Sequence, residues 1–176
     1  MSIKSTSKLR EVNGIDLLPA AQQVHIKGEI AVYEVPWLNH VVNDEQENFL
    51  LKWSDTDHVL DRWMFYRVPE ARLLNFLKET VSIRDLILEN PDGFVLFLDY
   101  EIQGGSQPAR VVKVHTDNIP TDYLPDGDSY YVKGDFMYTA YCEELRQQIE
   151  ARSTPKRPYK IQPDTSPSVL NEPPNE

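Results

Sequence analysis

The chain has 176 residues and carries 28 acidic against 18 basic side chains, a formal net charge of −10. Its length fits one domain with tails, and no apolar run is long enough to span a membrane. Cys142 is the single cysteine, which excludes an internal disulfide; together with residues 1–8, which lack the apolar core of a signal peptide, it points to a reducing cytoplasm.

Residues 1–28 carry no pattern that assigns an element and are read as an N-terminal arm, ahead of a domain over 29–151. Within that domain, Ile30, Val32 and Val35 sit in a strand over 29–35 that Pro36 ends, and 37–46 reads as a polar loop holding Trp37 and His40. Phe49, Leu51 and Trp53 alternate with Leu50 and Lys52, which predicts a strand over 47–53. Aromatic and β-branched residues over 62–68 predict its partner, and the short polar side chains of 54–58 supply the turn.

Pro69 stops that strand and suits the first turn of a helix. Leu73, Leu74 and Leu77 then share one helical face. Ser82, with Asp85 three residues on, matches a capping box, flanked by Val81 and Leu86 as a hydrophobic staple. Asn90, Pro91, Asp92 and Gly93 form a turn signal. The run 94–100 is apolar on both faces and predicts a central strand. Residues 103–106 make a loop and 110–115 the returning strand. Residues 117–127 read as loop and 129–132 as a short edge strand. Tyr138, Tyr141, Cys142, Leu145 and Ile149 recur at helical spacing. From 152 onward the chain is proline-rich, holding six of the thirteen prolines, and has too little apolar mass to order itself; a disordered tail is expected. The expected fold is α+β: an antiparallel sheet of about five strands, short helices on one face and a C-terminal helix.

Chemistry is less legible. There is no phosphate loop, no nucleophile elbow, no zincin motif and no cysteine pair. Asp55, Asp57, His58 and Asp61 cluster at the predicted hairpin tip and have the donor types of a cation site, but turn chemistry favours the same residues, and strand pleat would scatter them. A calcium loop starting at Asp126 fails, because its twelfth position is Met137 where a bidentate glutamate is required. Cys142 lies on an apolar helix face, the setting of an inert thiol. No catalytic residue, metal or cofactor is assigned.

Charge is distributed unevenly. Residues 29–102 hold fifteen acidic and six basic side chains, whereas the two ends are mildly basic. An acidic body repels nucleic-acid backbones and anionic membranes and attracts basic partners. Trp37, following Pro36 at the opening of a polar loop, has the character of an interface anchor. Lys156, Arg157 and Lys160 form a basic segment in the tail.

The order of Trp53 and Asp55, Trp63 and Tyr66, Val68 and Pro69, Ser82 through Asp85, and Asn90 through Gly93 resembles a family of small bacterial α+β proteins of no established activity. The resemblance covers about a quarter of the chain and implies a bacterial or phage cytosolic origin; it carries over no site residue.

Two functional expectations follow. The first is a non-enzymatic interaction module that binds a protein partner, basic in character, as an inhibitor, antitoxin or accessory subunit would, through Trp37, the carboxylates Asp55, Asp57 and Asp61, and the tail residues Lys156, Arg157 and Lys160. Homo-oligomerisation stays open. The alternative is a small-ligand sensor or enzyme with a pocket built from His115, Asp117 and the Asp55 to Asp61 hairpin. Nucleic-acid binding through the tail is the weakest reading.

Overall fold

The computed structural model describes residues 12–13 and 24–154. Strands β1 (Val12–Asn13), β2 (Val24–Tyr33), β3 (Val35–Asn43), β4 (Asn48–Thr56), β5 (Leu60–Arg67), β6 (Phe94–Glu101) and β7 (Arg110–His115) form one sheet. Helices α1 (Glu70–Leu77), α2 (Ile83–Leu88) and α3 (Tyr141–Ser153) complete the domain. Strand order is β1-β7-β6-β5-β4-β3-β2, with every neighbouring pair antiparallel. This is the α+β architecture expected from the sequence. No helix among the described residues is long and apolar enough to cross a membrane.

Strand alternation divides the apolar side chains between two faces. One face carries Leu38, Leu50, Met64, Val95, Phe97 and Val112, and on it lie Leu73 and Phe76 of α1, Ile83 and Leu86 of α2, and Leu145 and Ile149 of α3. The other carries Val41, Phe49, Phe65, Leu96, Leu98 and Val111. Phe49 and Phe65 stack there at 4.9 Å between ring centroids. On this second face Val24 and Ile26 of β2 and Ser106, Gln107 and Pro108 of the β6–β7 loop line a single cavity of about 350 Å³.

Local signals acted as read at several points. The Ser82 hydroxyl accepts from the Asp85 amide at 3.1 Å, and Asp85 accepts from the Ser82 amide at 3.2 Å, closing the capping box of α2. Pro69 immediately precedes α1. Buried on both faces, β6 lies between β5 and β7.

Three expectations need correcting. Residues 37–46 are mostly strand, not loop: β3 runs through Pro36 to Asn43 and pairs on both sides. The proline is tolerated because β3 pairs with β4 only from Leu38 onward, so at Pro36 no ladder amide is needed on that side. Residues 129–132 make no strand; Tyr130 forms only an isolated bridge to Ser82. The final helix begins at Tyr141, not Tyr138, because Tyr138 is held in a bridge to Ala31 that covers part of the outer edge of β2. The Val32 amide donates to the Met137 carbonyl and the Thr139 amide to the Ile30 carbonyl, which satisfies that edge at Ile30 and Val32.

A charged pair is buried inside the helix-covered face. Arg62 and Asp99 are both fully buried and opposite each other on β5 and β6. Arg62 Nε and Nη2 donate to the two carboxylate oxygens at 2.7 Å each, and Nη1 donates to the Tyr123 hydroxyl at 2.9 Å. The guanidinium lies 5.7 Å from the ring centroids of both Phe97 and Tyr123. Such a bidentate, fully hydrogen-bonded arrangement is the form in which a buried charge pair is tolerated.

Candidate functional site: a groove beside Trp37

Three parts of the chain meet at the β2–β3 turn. Tyr33, Val35 and Trp37 come from the turn and the start of β3, Lys52, Trp53 and Ser54 from β4, and Pro125, Asp126, Asp128, Ser129 and Met137 from the segment that leads to α3. Together they enclose a groove of about 670 Å³. Asp126 and Asp128 are exposed on its rim. The turn that shapes its mouth is a single residue, Glu34, held at φ 60°. A side chain in this left-handed region costs roughly 1 kcal/mol relative to glycine. The strain places Tyr33 and Val35 outward, 59% and 63% exposed. Phe136, 80% exposed, meets the Tyr33 ring edge-on at 6.2 Å.

Lys52 is the unexpected member. Strand alternation puts it on the helix-covered face, in register between the fully buried Leu38 and Met64. Its ammonium donates to the Trp53 carbonyl at 3.1 Å. No carboxylate among the described residues pairs with it. Burial without a compensating charge pulls its pKa down to about 8. Ser129 lines the same groove, and its hydroxyl is enclosed without a hydrogen-bond partner among the described residues.

A second polar cluster lies where β3 meets α3. His40 is buried; its Nε2 is 2.9 Å from Asn48 Oδ1 and its Nδ1 is 2.7 Å from the Tyr141 hydroxyl. Asn48 Oδ1 can only accept, so Nε2 carries the proton and Nδ1 accepts from the tyrosine. Burial holds the imidazole below its usual pKa against the Asn48 hydrogen bond, and Arg152 and Lys27 reinforce the lowering. Burial likewise pushes the Tyr141 phenol up to about 12. Both ring nitrogens are engaged, so the cluster reads as a rivet between sheet and helix. Gly28 is part of it, since a Cβ there would stand 2.6 Å from the Tyr141 ring.

The residues singled out from sequence fall in different places. Trp37 lines the groove, half-buried against the core. Asp57 Oδ1 accepts from the Val59 and Leu60 amides at 2.6 and 2.7 Å, and those backbone bonds lower its pKa. This is turn chemistry at the β4–β5 hairpin. Asp55 Oδ1 accepts from the Thr56 amide at 2.9 Å, and Asp61 is paired in register with Thr56. No cluster of three or more metal-type ligands forms among the described residues. His115 is exposed and pairs with Phe94, whereas Leu60 at the hairpin pairs with Glu101 at the opposite end of β6. His115 and Asp117 are therefore not brought together with the hairpin. Cys142 is buried and burial pushes its thiol up to about 11. Lys156, Arg157 and Lys160 lie outside the described residues.

Sequence reasoning missed Lys52, Ser129 and the groove itself. A signal for Lys52 was available: it sits within the apolar run Phe49 to Trp53 and shares a face with Leu50. Compared with family models, curated proteins and solved structures, the chain shows no match.

Proposed function

We propose that the protein is a non-enzymatic interaction module that holds an apolar segment of a partner protein in the Trp37 groove. The observation that carries this reading is the continuity of the groove with exposed Tyr33, Val35 and Phe136. An apolar surface that extends beyond a concavity and is rimmed by charge suits a protein contact better than an enclosed small ligand. Trp37, a rigid aromatic on a strand, supplies the anchor. The rim carboxylates Asp126 and Asp128 and the net charge of −10 favour basic residues flanking the docked segment. An inhibitor, antitoxin or accessory subunit of a bacterial or phage system is consistent with this mode of action.

The test is site-specific photo-cross-linking in the native host. A photoreactive side chain at Tyr33 captures a discrete partner; one at Asp117, beyond the end of β7 and three strands away from β4, does not. Reconstituted with that partner, Trp37→Ala weakens binding by about tenfold or more, as loss of an aromatic anchor does. Equal capture at both positions, or unchanged binding by the Trp37 variant, refutes the reading.

A further inference from the structure

We infer that the groove recognises the free carboxyl terminus of a partner chain that ends in a large apolar residue, with Lys52 and Ser129 as the carboxylate's donors. This rests on the groove being the docking site and assigns the chemistry of what docks. The half-buried ammonium meets one carbonyl oxygen and no carboxylate, so two of its three donor hydrogens have no acceptor among the described residues. The Ser129 hydroxyl, enclosed in the lining of the same groove, is a donor with no partner among the described residues. An enclosed donor such as the Ser129 hydroxyl costs free energy while it has no acceptor. A carboxylate accepts from both Lys52 and Ser129, and its negative charge offsets the burial that lowers the amine's pKa.

The source of the carboxylate follows from the surroundings. An internal Asp or Glu would bring peptide groups on both sides into an apolar groove, leaving them short of partners. A chain terminus enters end-on, delivers the charge and an apolar side chain together, and has peptide groups on one side only. Tyr33, Val35, Trp37 and Met137 receive the terminal side chain. Asp126 and Asp128 on the rim disfavour further acidic residues upstream and favour basic ones. Capture of a C-terminal carboxylate is a recurrent mode of peptide recognition.

The experiment compares two fluorescein-labelled hexapeptides by anisotropy with the full chain. Each has two lysines, three small residues and a terminal phenylalanine; one ends in a free acid, the other in an amide. The acid binds about tenfold tighter or better, as expected for a charge-assisted contact in a partly buried site. Lys52→Met removes this preference and leaves amide binding in place, Ser129→Ala reduces it, and Trp37→Ala weakens both peptides. Equal binding of acid and amide overturns the carboxylate assignment; if Trp37→Ala still weakens both, the groove remains the docking site. Binding of neither peptide, or peptide binding indifferent to Trp37→Ala, overturns both.

Discussion

Arg62 and Asp99 face each other across β5 and β6, wholly buried, and share two parallel hydrogen bonds of 2.7 Å. Removing one partner strands the other charge in the core. Asp99→Leu alone is expected to lower stability by about 3–5 kcal/mol in urea denaturation. The double variant Arg62→Met with Asp99→Leu recovers most of that loss, because two apolar side chains need no solvation. A double variant as unstable as the single one would mean that the pair organises the fold beyond its own charges.

Lys52 is expected to reduce stability as it stands. Its folded pKa of about 8 lies below the ordinary 10.5, so between those values the unfolded chain binds more protons and stability rises with pH. Below pH 8 the penalty is present in full. Lys52→Met should therefore raise stability at pH 7 by about 1–2 kcal/mol, discounted for the partial exposure of the amine. The difference from the parent narrows as pH rises from 8 toward 10.5. Chemical denaturation across that range measures it, and a destabilised variant at pH 7 contradicts the argument. A residue that weakens the fold while completing a groove is the pattern expected of a site kept for binding.

His40 gives the opposite end of the pH scale. Its folded pKa is lowered, so its contribution is intact above the usual 6.5 and declines as pH falls toward the folded value. Lys27, Tyr141, Glu144 and Arg152 are the other titratable groups around that pocket. The parent should lose stability between pH 7 and pH 5, and His40→Gln should lose less over the same interval. Parallel denaturation curves for the two proteins would assign the acid sensitivity elsewhere.

Gly28→Ala tests the rivet beside it. The added methyl would stand 2.6 Å from the Tyr141 ring, which must move and give up its bond to His40. A loss of about 1–3 kcal/mol is expected, the usual range for overpacking. Gly28→Ala combined with Tyr141→Leu should lose less than the two separate changes together, since both disturb one contact. Full additivity would separate the glycine from the tyrosine.

Much of the fold was legible because its determinants are local. The alternation of Phe49, Leu50 and Leu51, the capping box at Ser82 and the doubly apolar run of β6 each lie within a few residues of chain. Where reading failed, a distant partner intervened. Pro36 looked like a strand end, yet β3 continues through it because β4 begins pairing only at Leu38. Tyr138 had the spacing of a helical residue but is captured by the edge of β2.

By itself, then, the sequence determined an acidic α+β domain, its antiparallel strands and its helix starts, since period and capping are written into neighbouring residues. Only the tertiary structure decided where a site could form. It placed His115 at the opposite end of β6 from the hairpin carboxylates, and it brought Lys52 together with Tyr33, Trp37 and Ser129. Strand order and register set those distances, and they depend on pairings between residues far apart in the chain, which no local pattern encodes.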